Sequence, residues 1–265
     1  MGSARPQPPG ETGTNLEGEV VVVTGASGSL GRAICVAAAR EGAQVVAVAR
    51  DCSRLEETAI RVRGLAGSDP RHRAPLLLSL DVRCEADMKA MADAIEDRFG
   101  RADALVTAHG IGTAGAGGRA VPHAFSRLPL AEWSAVIDTN LKGVFLSNRA
   151  VLPMMVRQGR GRILNISSAR GGLRGQAFGA AYCASKFGVR GLSEALAEEV
   201  RRHGIRVEVL LPEAVESALI AHTSLGAGRR RSLPPERVAA LTVWRLCRAG
   251  DATMPETRIA ALASH

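Results

Sequence analysis

Aromatic residues and paired cysteines are scarce in this sequence of 265 residues. Phe, Trp and Tyr together make up 3% of the chain, so a hydrophobic core must consist mainly of aliphatic side chains. The five cysteines are an odd number, and no pair has the two-residue spacing of common metal and redox motifs. The sequence therefore indicates neither a disulfide framework nor a metal site, and we expect a reducing, cytoplasmic compartment.

Long apolar runs are also missing from the sequence. No stretch of 18 apolar residues is present, and residues 1–17 lack the apolar centre of an export signal. We therefore expect no membrane span. Residues 1–17 are rich in Pro, Gly and polar side chains, which predicts a disordered tail ahead of one folded domain over residues 18–265.

The chain carries an excess of positive charge, +8 at neutral pH. Such a surface attracts polyanions, but the arginines are spread along the sequence and only residues 229–231 form a dense run. No basic stripe alternates with aromatic residues as in modules that bind nucleic acids. We therefore expect no nucleic-acid partner, and the charge instead suits the attraction of a phosphorylated cofactor.

Short aliphatic runs alternate with amphipathic segments from residue 19 onward, which is the pattern of repeated βα units. The runs predict seven strands, at residues 20–24, 45–49, 75–82, 104–108, 162–168, 206–212 and 258–262. Apolar spacings of three and four predict helices at residues 30–40, 52–65, 85–99, 130–156 (continuous or broken), 181–202 and 235–248. The predicted fold is α/β, a single Rossmann-like, doubly wound domain whose seven-stranded parallel sheet carries helices on both faces.

Two segments fit neither pattern, residues 112–129 and 213–233. Both follow predicted strands, at the edge where parallel sheets usually bind ligands. We expect them to line a substrate pocket. Apolar side chains near that pocket favour a moderately hydrophobic substrate, namely those of Ala114, Phe125, Phe178, Leu219 and Leu225.

A glycine-rich turn, TGASGSLG at residues 24–31, follows the first predicted strand. Glycines there let the chain turn tightly and let a pyrophosphate approach the backbone N–H groups at a helix N-terminus. A simple βα turn without a ligand would use the same glycines, but the position after the first strand favours a dinucleotide site. Six residues are the predicted contacts: Gly25, Ser27, Gly28, Ser29, Leu30 and Gly31.

The end of the second predicted strand bears on the choice of cofactor. An acidic side chain at this place hydrogen-bonds the ribose hydroxyl of NAD, whereas an arginine suits the extra phosphate of NADP. Ala49 and Arg50 occupy the place in this sequence. The sequence therefore favours NADP(H) over NAD(H), with Arg32 as a second candidate cation and Asp51 as a partial counter-charge to Arg50.

Several short motifs together resemble those of the short-chain dehydrogenase/reductase family. Besides the glycine turn, they are Asp81–Val82, ALVTAHG at residues 104–110, Asn140 within DTNLKGVF, NISS at residues 165–168 and YCASK at residues 182–186. The resemblance implies an oxidoreductase with a catalytic tetrad of Ser168, Tyr182, Lys186 and Asn140. It also implies cofactor contacts by Asp81, Val82, Ala108, His109, Gly110, Tyr182, Lys186, Pro212 and Val215.

The chemistry of carbonyl reduction favours the same tyrosine and lysine. Negative charge develops on the substrate oxygen, so a group must supply a proton and stabilise that charge. Tyrosine does this poorly at its ordinary pKa of about 10, and a nearby ammonium lowers that pKa. Tyr182 and Lys186 are four residues apart, so on a helix they share one face. We expect Ser168 to bind the substrate oxygen and Asn140 to hold a water that relays protons to Lys186.

Three positions depart from the family pattern. Residues 107–109 are Thr-Ala-His where the family usually has Asn-Asn-Ala, which removes expected hydrogen bonds between strands and puts a titratable ring near the cofactor. We interpret His109 as a packing or cofactor residue, with catalysis as the alternative. Glu213 follows Pro212 where relatives commonly have glycine, and Ser29 replaces a glycine of the turn.

The leading hypothesis is an NADP(H)-dependent oxidoreductase that interconverts a small carbonyl compound and a secondary alcohol. The alternative is a protein of the same fold without turnover, which senses a dinucleotide or acts as a scaffold. The resemblance further implies a homodimer or homotetramer that pairs through the helices at residues 140–156 and 181–202.

Overall fold

The predicted parallel sheet is present in the computed structural model, which describes residues 15–65, 74–112, 123–216, 232–248 and 255–260. Its strands are β1 (Val20–Thr24), β2 (Gln44–Ala49), β3 (Leu76–Ser79), β4 (Ala104–Thr107), β5 (Gly161–Ile166), β6 (Ile205–Pro212) and β7 (Glu256–Ile259). They lie side by side in the order β3-β2-β1-β4-β5-β6-β7, and every pairing is parallel. The predicted α/β fold class is confirmed.

Helices connect the strands at the predicted places. Within the described residues they are α1 (Ser29–Arg40), α2 (Cys52–Arg63), α3 (Glu85–Phe99), α4 (Leu130–Ile137), α5 (Gly143–Gln158), α6 (Ala180–Val200) and α7 (Pro235–Cys247). The segment predicted at residues 130–156 is broken, because Asp138–Lys142 form a π-helical turn between α4 and α5. Such a turn widens the helix locally and is frequent at functional sites.

Aliphatic side chains of the strands pack on both faces of the sheet. All five residues of β1 are buried, and successive side chains point to opposite faces. Val21 belongs to a cluster with Ile34 of α1 and Val238 of α7. Val22 belongs to a second cluster, which includes Met91 of α3. Each fully buried valine contributes about 1.5–3 kcal/mol, so the centre of the sheet gives the site a rigid base.

Six of the seven strands differ from the predicted ranges at one or both ends, and β3 and β7 differ most. The N–H of Leu80 still donates to the carbonyl of Ala49 (3.0 Å). The N–H of Asp81 donates instead to the carboxylate of Asp87 in α3 (2.7 Å), so β3 ends before the predicted residue 82. The seventh strand begins at residue 256, two residues before its predicted start, and residues 261–265 lie outside the described residues.

The predicted tail over residues 1–17 overlaps the folded chain. Leu16 is fully buried in the core, and its N–H donates to the carbonyl of Glu41 (2.9 Å). The N–H of Gly18 donates to the carbonyl of Gly42 (3.0 Å). The folded structure therefore includes Leu16, and residues 1–14 lie outside the described residues.

No helix within the described ranges has both the length and the apolarity needed to cross a bilayer. In the same part of the chain, His, Cys, Asp and Glu side chains form no group of three or more that would hold a metal ion.

The strand order reverses direction at β1, whose neighbours are β2 and β4. Loops at the carboxyl ends of the strands diverge at such a point and leave a crevice for a ligand. The two predicted substrate loops leave from this edge. Their described parts are residue 112 with 123–129, and residues 213–216 with 232–233.

Candidate functional site

A cleft of about 850 Å³ lies at the carboxyl edge of the sheet. Every predicted cofactor contact lines it: Gly25, Ser27, Gly28, Ser29, Leu30, Gly31, Arg50, Asp81, Val82, Ala108, His109, Gly110, Tyr182, Lys186, Pro212 and Val215. Of the predicted catalytic residues, Ser168, Tyr182 and Lys186 line the cleft and Asn140 is fully buried behind it. Residues far apart in the sequence are thus brought to one cavity.

The glycine turn is packed closely against neighbouring backbone. Gly25 has a φ of +76°, and a Cβ there would lie 2.6 Å from the backbone of His109. A Cβ on Gly31 would lie 2.2 Å from the carbonyl oxygen of Gly25. Helix α1 starts after Gly28 with no side-chain cap and no acidic residue in its first turn. Its N-terminal N–H groups and positive dipole end are therefore available to an anion.

The end of β2 presents cations to the cleft. Arg50 and Arg54 both line it, and neither side chain forms a hydrogen bond or ion pair with any described residue. Asp51 caps α2 by accepting from the N–H of Arg54 (3.1 Å) and the hydroxyl of Ser53 (2.7 Å), and these bonds lower its pKa. Arg32 is not the second free cation that the sequence predicts, because it pairs with Glu57 (2.7 Å).

Asp81 lines the cleft beside Val82 and is already paired. Its carboxylate accepts from the Arg83 guanidinium, with a closest approach of 2.6 Å. Hydrogen bonds from Arg83 lower the pKa of Asp81, so the carboxylate is charged at neutral pH. A paired carboxylate here adds no unbalanced negative charge to the wall of the cleft.

Tyr182 and Ser168 face one another in the cleft. Burial raises the pKa of Tyr182, and a side-chain hydrogen bond with Ser168 opposes that rise. The tyrosine is still partly exposed to the open cleft, so solvent limits the effect of burial. Ser168 also accepts from the N–H groups of Arg170 and Gly171 (3.3 Å each), which fixes its hydroxyl oxygen.

Lys186 lies one helical turn after Tyr182, as predicted, but its ammonium does not touch the phenol. Its Nζ is 6.0 Å from the centre of the Tyr182 ring and donates to the carbonyl of Ile166 (2.9 Å). Burial lowers the pKa of Lys186 to about 8. In this structure Ser168, and not Lys186, is the group that lowers the pKa of Tyr182, which differs from the sequence-based expectation.

The amide of Asn140 is fully engaged with protein groups. Its Oδ1 accepts from the N–H of Ile111, and its Nδ2 donates to the carbonyl of the same residue, both at 2.8 Å. The Nδ2 also donates to Ser185 (3.1 Å). Asn140 therefore ties the π-helical turn to the segment after β4 and to α6. These three bonds are its partners among the described residues.

The turn after β5 is held by an arginine from α6. Arg190 donates to the carbonyl of Gly172 (2.8 Å) and pairs with Glu256 of β7. Gly171 lies against the phenol ring of Tyr182, and a Cβ there would be 2.5 Å from Cε1 of that ring. The edge strand, α6 and the turn beside Ser168 are thus connected through one side chain.

The comparison of this chain with known families decides its membership. The family described as short chain dehydrogenase matches residues 19–226. The chain belongs to this family. It is therefore an oxidoreductase, as the resemblance implied.

Known proteins similar to this short-chain dehydrogenase include enzymes named for different substrates. It is 36% identical over 204 residues to the D-threitol dehydrogenase of Mycolicibacterium smegmatis, covering 77% of this chain and 73% of the relative. A metagenomic short-chain oxidoreductase solved in complex with NADP has a TM-score of 0.76 and 33% identity, over 92% of this chain and 97% of the other. A 3-ketoacyl-(acyl-carrier-protein) reductase from Brucella melitensis, solved with NADH, has a TM-score of 0.75 and 29% identity, over 88% and 92%.

The unusual His109 of this dehydrogenase is buried against the end of β1. Its Nδ1 shares a hydrogen bond with the hydroxyl of Thr24 (2.7 Å). Its Nε2 has no hydrogen-bond partner among the described residues. Room for the ring comes from Gly143, where a Cβ would lie 2.9 Å from that nitrogen. Burial, and secondarily the charge of Lys186, lowers the pKa of His109 to about 3, so the ring is neutral at physiological pH.

Because His109 is neutral in the folded protein, we expect part of the free energy of unfolding to be lost in acid. Between pH 6.5 and 3 the unfolded chain binds a proton at this residue and the folded chain does not. The contribution is therefore complete above pH 6.5 and decreases as the pH falls toward 3. We expect this residue to lower the free energy of unfolding by about 2 kcal/mol between pH 7 and pH 5.

Urea unfolding of the wild type and the variant His109→Asn at the two pH values measures the effect. The variant should lose less stability than the wild type on acidification, and His203→Asn, on the turn after α6, should keep the wild-type difference. Equal acid losses in all three proteins would contradict a neutral, buried His109.

Thr107 and Glu213, which also depart from the family pattern, have side-chain partners in the protein. Thr107 donates to Oδ1 of Asn165 (2.8 Å), so a side-chain bond between β4 and β5 is kept despite the missing asparagine. Glu213 pairs with Arg258 at the start of the substrate loop (2.5 Å). Glu213 is therefore a paired carboxylate at this end of the cleft.

Sequence reasoning missed several residues that line the cleft. They are Arg54, Leu80, Ile111, Thr139, Ile166, Ser167, Arg170, Gln176, Ala177 and Gly179. Gly112, Phe178, Glu213 and Ala214, which the sequence predicts near the substrate pocket, also line the cleft. Phe125 is 83% exposed outside the cleft, and Ala114, Leu219 and Leu225 lie outside the described residues.

Proposed function

We propose that this dehydrogenase interconverts a carbonyl compound and a secondary alcohol with NADP(H), and that Tyr182 is its general acid and base. The observation that carries the proposal is the common cleft. Ser168, Tyr182 and Lys186 lie at one end of the cavity whose other end is the glycine turn. Both the NADP and NADH complexes of similar proteins support a nicotinamide dinucleotide as the cofactor.

The glycine turn suits such a cofactor, because helix α1 begins there without a side-chain cap or an acidic residue in its first turn, so its N–H groups can bind a pyrophosphate. When bound, the reduced nicotinamide supplies two electrons and a hydrogen to the carbonyl carbon. Tyr182 donates its phenolic proton to the carbonyl oxygen, and Ser168 holds that oxygen by a hydrogen bond. In the oxidative direction Tyr182 accepts the proton of the alcohol.

Lys186 lines the cleft and Asn140 lies behind it, and we propose that both support the reaction. The Lys186 ammonium is charged below its pKa of about 8 and does not contact the phenol, so Ser168 is the group that opposes the rise in the pKa of Tyr182. Asn140 fixes the segment after β4 through its two bonds with Ile111, so we propose it as a positioning residue. A hydroxyl of the nicotinamide ribose is the group that Lys186 would hold.

The preference for NADP(H) is supported by the cations at the end of β2. Arg50 and Arg54 line the cleft without an ion pair to the described residues, and Ala49 stands where an acid would bind the ribose hydroxyl. A guanidinium binds a phosphate through two parallel hydrogen bonds. We expect Arg50→Ala to weaken NADPH binding by about tenfold or more and to change NADH binding little.

Fluorescence titration of the two cofactors measures this effect. The matched control is Arg61→Ala, since Arg61 is an exposed arginine of α2 outside the cleft. Equal losses for NADPH and NADH in Arg50→Ala would contradict the proposed preference. Loss of NADPH binding in Arg61→Ala would assign the effect to net charge and not to the site.

The assay of the proposed reaction is oxidation of NADPH, followed by its absorbance, against a panel of aldehydes and ketones. We expect turnover in the wild type that depends on Tyr182. NADPH binding without turnover of any member of a broad panel would instead support the dinucleotide-sensing alternative.

Self-association remains a prediction, and two exposed side chains support it. Phe145 of α5 is 42% exposed and Phe187 of α6 is 41% exposed, on the helices that the family resemblance implicates. Apolar surface of this kind is stabilised when a second copy covers it. We expect light scattering to give the mass of a homodimer or homotetramer, and Phe187→Glu to shift it toward the monomer. A monomer in the wild type at assay concentrations would contradict the prediction.

A further inference from the structure

Each acidic residue that lines the described part of the cleft already has a hydrogen-bond or ion-pair partner in the protein. Asp51 is bound by the hydroxyl and N–H groups at the start of α2. Asp81 pairs with Arg83 (2.6 Å), and Glu213 pairs with Arg258 (2.5 Å). No other Asp or Glu lines the described part of the cleft.

The cations of the cleft are not balanced in this way. Arg50 and Arg54 lie at the end proposed for the adenosine phosphate. Arg170 lies at the opposite end, in the turn beside Ser168, and it is half-buried. No described residue gives the Arg170 side chain a hydrogen bond or an ion pair, although its backbone N–H donates to the Ser168 hydroxyl (3.3 Å).

The position of Arg170 restricts what it can bind. Its backbone is anchored to the serine that we propose to hold the reacting oxygen, and the residue lines the cleft, so its side chain starts beside the proposed reaction centre. The neighbouring walls, Gln176 and Phe178, carry no charge. Helix α6 adds Lys186, but its Nζ is directed to the carbonyl of Ile166 (2.9 Å).

A half-buried guanidinium without a counter-ion is unfavourable, because it loses hydration and gains no partner. An anion that enters the cleft removes this cost and gains charge-assisted hydrogen bonds with the planar fork of the arginine. A neutral substrate leaves the cost in place. An anionic ligand is therefore favoured over a neutral one beside Arg170.

We infer that the substrate carries an anionic group, a carboxylate or a phosphate, a few bonds from its carbonyl, and that Arg170 binds it. This inference rests on the proposed function, since it takes the end of the cleft beside Ser168 as the substrate end. It names a specificity-determining residue and a class of substrate: short oxo acids and phosphorylated ketones.

Matched pairs of substrates test the inference. Pyruvate, acetoacetate and levulinate are compared with their methyl esters, and dihydroxyacetone phosphate with dihydroxyacetone, in the NADPH assay. We expect kcat/KM to be at least tenfold higher for the best anion than for its neutral partner. The same ratio should fall at least tenfold in Arg170→Met, chiefly through KM, and recover in part in Arg170→Lys.

Arg174→Met is the matched control, because Arg174 is an exposed arginine four residues further along the same turn and does not line the cleft. It should keep the wild-type ratio. A preference for the carboxylates alone or for the phosphate alone identifies which anion the site takes. Equal kcat/KM for anions and neutral partners in the wild type overturns the inference, as does an unchanged ratio in Arg170→Met.

The two proposals fail in distinguishable ways. Tyr182-dependent turnover of neutral ketones without any preference for anions rejects the role of Arg170 and keeps the proposed function. If no ketone is turned over, calorimetry of the NADP(H) complex with levulinate and methyl levulinate tests the site without catalysis. Levulinate binding that is lost in Arg170→Met then supports the anion site alone, and equal binding of the two compounds rejects it.

Discussion

Replacing Tyr182 by Phe is expected to lower kcat for ketone reduction by about a hundred- to ten-thousand-fold. The substitution removes one hydroxyl, the proposed proton donor, and keeps the ring that packs against Gly171. NADPH affinity and the midpoint of thermal unfolding should change little, since the glycine turn and the core are untouched. A fall in kcat without a loss of cofactor binding is the signature of a group that acts in the transition state.

Tyr182 is the single tyrosine of the chain, so its ionisation can be followed directly by tyrosinate absorbance. In the free protein the midpoint of this titration should lie above the ordinary pKa of 10, because burial raises it. Ser168→Ala should raise it further, since the hydrogen bond from Ser168 opposes the rise. A variant Tyr182→Phe that keeps kcat within tenfold of the wild type would remove Tyr182 from the reaction.

Replacing Gly31 by Ala is expected to weaken NADPH binding by more than about tenfold and to destabilise the fold. The new Cβ would lie 2.2 Å from the carbonyl oxygen of Gly25 and 3.0 Å from Cα of Ala26. These are backbone atoms, so the turn itself must move. Overpacking of this kind costs about 1–3 kcal/mol. The N–H groups of the displaced turn would no longer point toward the bound pyrophosphate.

Gly28→Ala provides the matched control within the same turn. Its φ of −79° suits any residue, and the nearest atom to a new Cβ would be the Gly25 carbonyl oxygen at 3.3 Å. We expect its NADPH affinity to stay within a few-fold of the wild type. Calorimetric titration of NADPH and thermal unfolding of both variants give the comparison. Equal behaviour of the two would show that close backbone approach at Gly31 is not what the site needs.

The fold and the cofactor end of the cleft were predictable because their signals are local. Aliphatic runs, the glycine turn and the spacing of Tyr182 and Lys186 each lie within a few consecutive residues, and the structure places them as predicted. Helix boundaries differ from the predictions by only one or two residues in most elements, since they depend on the same periodicity. The break at residues 138–142 was left open, because a π-helical turn has no clear pattern of apolar residues.

The partners of the charged side chains could not be predicted from the sequence. Arg32 pairs with Glu57 and Glu213 with Arg258, pairs that are 25 and 45 residues apart. Their contacts depend on how helices and strands pack, which no local pattern records. Arg170 could not be singled out from the sequence for the same reason. Its lack of a partner among the described residues is visible only when the partners of Asp51, Asp81 and Glu213 are known.

The link from Glu256 through Arg190 to the carbonyl of Gly172 has a consequence for the order in which the protein matures. Every residue that lines the described part of the cleft precedes β7 in the chain, so the end at the glycine turn can assemble while β7 is still being synthesised. The wall beside Ser168 lacks its brace until that strand docks against β6. A nascent chain can therefore bind the cofactor before the turn beside Ser168 is held in its final position.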